Sequence, residues 1–242
     1  MKLRERCRSR FMPRVPRSLT VINNHAVHKV WRGHNKEWNL GGYEDKLKYL
    51  DLLNDDFDKR QSEVGAEIQA LCLMNNHTHE VFHIKSQKDF SNHMRRHHGR
   101  YGQYFNKHHG RSGKVAEDRP RTTLIEDGVH EMRTVFYIHA NPIRANIVKD
   151  ARNYEWSTHL FYAFGKKASW MKHIRLPSWY KSLGRNAAER QGKYRKLFAR
   201  YLKETGRFKQ TFLKKLFLGN ELWIEEQNSK LSNWRSFHAS SG

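Results

Sequence analysis

Residues 67–84 read EIQALCLMNNHTHEVFHI. Residues 67–74 are a short apolar run of strand length, Asn75-Asn76 is a turn signal, and 77–84 make a second short run. The spacing predicts two adjacent strands split by a turn or bulge. On a strand, residues two apart face the same way, so His77 and His79 would turn both imidazoles to one side. Two imidazoles so placed can share a divalent metal. The pattern alone is weak. With 16 histidines in 242 residues, about one His-x-His pair is expected by chance, and two half-exposed histidines on a basic strand account for it as well.

Upstream, residues 20–33 (TVINNHAVHKVWRG) alternate enough to predict a first strand, ended by Gly33. From Tyr43 to Arg60, Leu47, Leu50, Leu53 and Phe57 recur at three- and four-residue steps. They predict a helix with one apolar stripe, its other face solvated by Asp45, Asp51, Asp55 and Asp56. Downstream, 87–108 read as a helix with Phe90, Met94, Tyr101, Tyr104 and Phe105 near one side and cationic residues over the rest. Residues 110–121 are a Gly- and charge-rich loop with room for a brief strand. A further helix is predicted over 126–140, interrupted at Pro142, with a short helical piece over 142–148. After Trp156 the texture changes, and 187–204 and 207–218 read as two basic amphipathic helices separated by Gly206. Strands and helices at these spacings imply an α+β layer fold, an antiparallel sheet with helices packed on it. We divide the chain into a basic arm (1–19), a main domain (20–166) and a C-terminal helical extension (167–242), the boundary lying near 166–178.

The 242 residues hold 46 Lys and Arg against 24 Asp and Glu, a formal charge of +22. A compact body this basic attracts polyanions, nucleic acid first and anionic membrane second. No stretch approaches the roughly 18 apolar residues of a membrane span, and no basic amphipathic helix ending in an apolar face stands out. An aromatic content of 12% argues against a disordered chain. Cys7 and Cys72 cannot by themselves form a disulfide framework or a thiolate zinc cluster, and a reducing cytoplasm is the simplest compartment. The arm lacks the apolar stretch of a secretory signal, and Pro13 and Pro16 oppose a continuous amphipathic presequence helix.

Two further constellations can carry chemistry. In Tyr137-Ile138-His139-Ala140-Asn141-Pro142, Tyr137 and Asn141 fall on one helix face at i and i+4. A phenol beside a neutral amide oxygen suits a metal-assisted nucleophile with one extra ligand. Against this, Asn-Pro is a natural helix start and Tyr137 suits a core aromatic. In the cationic-aromatic helix, arginine interleaved with tyrosine suits backbone neutralisation plus base stacking on single strands, although a solvated face is the usual meaning of a charge run.

In order, MNNHTHEVF, RRHHGRYGQYFNKHHGRSGKV, VFYIHANPIRANIV and YEWSTHLFYAFG resemble the single-tyrosine HUH transposases, in particular the REP-associated tyrosine transposases of bacteria. LPSWYKSLG and AERQGKYRKLFARYL resemble the C-terminal extension of some members. The likeness spans roughly 20–225, and four ordered segments are far more specific than one His pair.

The resemblance implies a ferredoxin-like fold and DNA strand transfer through a 5′-phosphotyrosine. It sets Tyr137 at the nucleophile, and His77, His79 and Asn141 around Mg²⁺ or Mn²⁺. It implies single-stranded or hairpin DNA as substrate, which suits the cationic-aromatic helix; there we take Arg95, Arg96, Arg100 and Lys107 as candidate phosphate contacts and Tyr101 or Tyr104 as candidate stacking faces. It also implies a bacterial cytoplasmic protein, monomeric or homodimeric. Two positions depart from the family pattern: Thr78 replaces the usual hydrophobic residue between the histidines, and Asn75 replaces a proline. A non-catalytic nucleic-acid-binding relative and a metal-dependent nuclease using water are the competing readings.

Overall fold

The structure is a computed structural model that describes residues 15–205 and 215–239. One helical turn, α1 (Arg17–Thr20), leads to β1 (Ala26–Arg32). Then come α2 (Tyr43–Lys59), the short α3 (Gln61–Val64), β2 (Ala66–Leu73), β3 (His77–Ile84) and α4 (Gln87–His108). β4 (Arg121–Ile125) and α5 (Val129–Arg144) complete the first part. They are followed by α6 (His159–Phe164), α7 (Ser178–Lys181), α8 (Ala187–Glu204), β5 (Phe217–Leu218) and α9 (Glu221–Ala239). No described helix is long and apolar enough to cross a membrane.

The sheet order is β2-β3-β1-β4-β5. Read as β1-α2-β2-β3-α4-β4 with neighbouring strands antiparallel, this is the ferredoxin-like arrangement expected. The two-residue β5 departs from it by pairing parallel to β4, Leu124 opposite Phe217.

Strand alternation gives the sheet two distinct faces. On one, Trp31 and Phe82 meet α2 and α4 through Tyr49, Tyr101 and Phe90. A buried polar group lies among them: Lys29 Nζ is 2.8 Å from Glu80 Oε1, and the Tyr49 hydroxyl donates to the same carboxylate at 2.7 Å. The other face carries His28, Val30 and Arg32 of β1 opposite Val81, His79 and His77 of β3. Over β2 and β3 on this side packs α5. Phe136 of α5 in turn meets Tyr194, Phe198 and Tyr201 of α8, so α8 shares the core. His139 ties these layers together. Its ring nitrogens lie 2.6 Å from the Tyr194 hydroxyl and 2.8 Å from Thr158 Oγ1.

Several expectations need correcting. The first strand is shorter than 20–33, because residues 17–20 form a helical turn and Asn24 takes a left-handed φ of 62° before β1. The helix predicted to break at Pro142 runs through it to Arg144. A proline removes one backbone donor, and here the helix continues only two residues further, with Ala145 N–H still bonding the Asn141 carbonyl. No separate helix covers 142–148. β4 fills the gap between the predicted loop ending at 121 and the helix predicted from 126, and its threonines and isoleucine favour a strand. The helix predicted over 207–218 lies outside the described residues up to 214, and its end is β5 rather than helix. α9 had no forecast. The arm lies outside the described residues up to position 14. Asp45 and Asp56 are buried rather than solvating: Asp56 lies within 3.2 Å of Arg96 and 3.1 Å of Arg100, and Asp45 lies 2.8 Å from His109.

Candidate active site and nucleic-acid interface

Because β3 is extended, His77 and His79 project from the same face of the sheet. Their ring centroids are 4.8 Å apart and the planes nearly perpendicular, at 82°. α5 crosses this face and brings the Tyr137 ring to 5.6 Å from that of His79, centroid to centroid and edge to face. Asn141 lies one helical turn beyond Tyr137. Its Nδ2 is buried and has no hydrogen-bond partner among the described residues. Sequence spacing placed each pair on one face of its own element; the packing of α5 on β3 joins the phenol to the histidines.

His28 was not singled out in the sequence. It lies wholly buried on β1, its ring stacked 5.1 Å from that of His79, and its Nε2 is 2.9 Å from His79 Nδ1. The Tyr137 ring meets its edge at 6.1 Å. Period-two alternation puts His28 on one face with Val30 and Arg32, but only the β1–β3 register reveals which histidine it meets.

Burial dominates the electrostatics of the group. It pushes His77 down to about 4, helped by the nearby Arg32 cation, and His28 down to about 3. His79 is also held well below its ordinary value, first by burial and then by His77, His28 and Arg32. All three are therefore neutral near pH 7, the form in which imidazole binds a metal. Burial raises the Tyr137 phenol, while the Arg144 and Arg32 cations oppose the rise. Arg144 lies over the Tyr137 ring at 5.2 Å and donates to the Tyr201 hydroxyl and Thr205 Oγ1 at 3.1 and 2.9 Å.

Neutral imidazole and an amide oxygen are donor types that a divalent cation accepts. Two neutral imidazoles and one amide leave several coordination positions open, and His28 engages Nδ1 of His79, so Nε2 is the nitrogen left for a metal. Among the described residues no group of three or more His, Cys, Asp or Glu side chains is suited to a metal.

Thr78 points to the opposite face. It is wholly buried against the Tyr49 hydroxyl but makes no well-aligned hydrogen bond. The polar group of Lys29, Glu80 and Tyr49 there explains why a hydroxyl is tolerated behind the two histidines.

The DNA contacts predicted on α4 do not join this site. α4 packs on the other face of the sheet. Tyr101 is 0% exposed, its hydroxyl donating to the Asn39 carbonyl at 2.5 Å, so it has no ring face for a base. Arg96 and Arg100 are held by Asp56, Asp55 and Glu63. Tyr104 is half-buried and stacked on His108, with ring centroids 5.2 Å apart. Only Arg95 and Lys107 among the six are fully exposed, and Arg95 donates to Asn92. The interleaved tyrosines of α4 are mainly packing, and its central arginines neutralise α2.

Residues 21–118 match the family model described as Transposase IS200 like. This stretch, about two fifths of the chain, is thus similar to the IS200-like transposases, the class the resemblance also points to. The match contains His77 and His79 and ends before Tyr137. A REP-associated tyrosine transposase solved bound to a REP hairpin is 19% identical, with a TM-score of 0.47, over 65% of this chain and 95% of that one. No curated protein matches.

Proposed function

We propose that the chain cleaves and rejoins single-stranded, hairpin-containing DNA with Tyr137 as nucleophile. The observation that carries this reading is the convergence of the Tyr137 ring on the His77–His79 pair across two separate elements, 5.6 Å from His79. The Tyr137 oxygen forms a bond to the scissile phosphorus, the P–O3′ bond breaks, and the DNA 3′-hydroxyl leaves carrying a proton. The resulting phosphotyrosine conserves the bond energy, so another 3′-hydroxyl can reverse the step without a nucleotide cofactor. A phenol with an ordinary pKa near ~10 is a poor nucleophile; the Arg144 and Arg32 cations favour its ionised form. His77 and His79, with Asn141, would hold Mg²⁺ or Mn²⁺, which when bound supplies charge stabilisation at a non-bridging phosphate oxygen.

Incubation with hairpin-bearing single-stranded DNA and Mn²⁺ tests this. The expected product is a protein–DNA adduct that survives denaturation and is lost in Tyr137→Phe. An adduct persisting in the variant would reject Tyr137 as nucleophile. Protein-free cut ends that survive the substitution would identify a nuclease using water. Salt-sensitive binding without cleavage under either metal would identify a non-catalytic binding protein.

A further inference from the structure

Beside the His77–His79–Tyr137 cluster, the same face of the sheet is open. α5 covers β2 and β3, whereas Val30 and Arg32 of β1 stay half-exposed and Arg121 of β4 is exposed. Arg121 lies opposite Val30 in the β1–β4 register, and Arg32 lies opposite His77 in the β1–β3 register. Arg32 and Arg121 are therefore diagonal neighbours on one face, about 7–8 Å apart on the sheet. Arg32 acts electrostatically on His77, His79 and Tyr137 alike.

Both arginines line a cleft of about 570 Å³ whose wall also carries Arg17, Arg119 and Lys215. Its acidic residues are Glu117 and Asp118, so cations outnumber carboxylates. Arg17 and Arg119 are anchored to backbone, donating to the Pro120 and Val15 carbonyls at 3.2 and 2.6 Å. Neither Arg32 nor Arg121 makes a side-chain hydrogen bond or ion pair among the described residues. The contrast with α4 is direct, since its arginines at 96 and 100 already face carboxylates.

We infer that this cleft is the track of the single-stranded DNA backbone, with Arg32 and Arg121 holding successive phosphates next to the reacting one. The inference rests on the proposed function for the identity of the polyanion. Two guanidinium groups on adjacent strands are rigidly spaced, and an arginine without a protein partner keeps its donors for phosphate oxygens. Arg32 then also fixes the register of the strand relative to Tyr137. Val30, opposite Arg121 and two residues before Arg32 on the same face, forms the floor beside the two cations.

The test uses the full chain carrying Tyr137→Phe, so that binding is read without chemistry. Fluorescence anisotropy with a labelled hairpin oligonucleotide and single-stranded flank is followed across a salt series. Arg32→Gln with Arg121→Gln is expected to lower affinity at least tenfold and to reduce the log–log salt slope by roughly 1.4, about 0.7 per lost phosphate contact on a single strand. Arg32→Lys with Arg121→Lys should restore most of the slope, because charge is kept. A thermal melt coinciding with that of the parent confirms that the fold is intact. An unchanged slope would overturn the inference. So would an equal loss from Arg95→Gln with Lys107→Gln, which removes two charges from the opposite face. Arginine-dependent binding in a protein that never forms the Tyr137 adduct would sink the catalytic reading and leave this surface standing.

Discussion

His28 Nε2 lies 2.9 Å from His79 Nδ1, both rings buried. A neutral imidazole has one donor and one acceptor nitrogen, so the bond to His28 decides how His79 is oriented. For His79 to offer Nε2 to a cation, its Nδ1–H must donate to His28. Partners of this kind typically change metal affinity 10–100-fold. His28→Leu is therefore expected to weaken Mn²⁺ binding about 10–100-fold in calorimetric titration of the metal-free protein, with His28→Gln retaining part of it. Equal affinities in the parent and His28→Leu would refute this role, whereas no binding by the parent would refute the metal site itself.

Thr78→Val should leave stability within about 1 kcal/mol of the parent. The Tyr49 hydroxyl keeps its bonds to Glu80 and Lys29, at 2.7 and 2.8 Å, so losing the threonine oxygen orphans nothing. Urea unfolding measures it, and a loss above roughly 2 kcal/mol would show that the hydroxyl is bonded after all.

The Lys29–Glu80 pair is expected to behave differently. Both side chains are buried, 2% and 0% exposed, with Nζ 2.8 Å from Oε1. Lys29→Met leaves a carboxylate in the interior without its cation and should cost about 3–5 kcal/mol. Adding Glu80→Leu should recover much of that loss, since the stranded charge goes with it. Chemical denaturation of the single and double variants gives the comparison.

Acid should destabilise the protein over a defined window. His28, His77 and His159 are depressed to about 3, 4 and 4, chiefly by burial. His79, His97, His98 and His139 lie well below their ordinary value for the same first reason. Between pH ~6.5 and these values the unfolded chain binds protons that the folded chain does not, so stability rises with pH across the window. It is fully present above about pH 6.5 and falls as pH drops toward 4. Glu131, raised to about 8 by burial, acts in the opposite sense between about pH 4.5 and 8, but it is one group against seven histidines. The urea midpoint should therefore fall from pH 7 to pH 4. A flat profile would show that the histidines are not buried neutral.

Much of the fold was legible because it is written in local periodicity. α2, α4 and α8 start and stop within a residue of the predicted bounds, each having a regular apolar stripe. β4 was missed because five residues with one flanking loop give alternation little room. In α4, arginine and tyrosine spacing cannot say whether a cation meets solvent or the aspartates of another helix, and packing on α2 settled that.

The α+β class, the helices α2, α4 and α8 and the shared face of His77 and His79 follow from the sequence alone, since repeats of two and 3.6 residues are properties of neighbours in the chain. The tertiary structure decided that Tyr137 comes to His79, that His28 holds the same ring across 51 positions of sequence, and that Arg32 rather than α4 borders the cluster. Those contacts arise from strand register and from the sheet face on which each helix lands. Both are set by the fit of whole surfaces, which no single segment encodes.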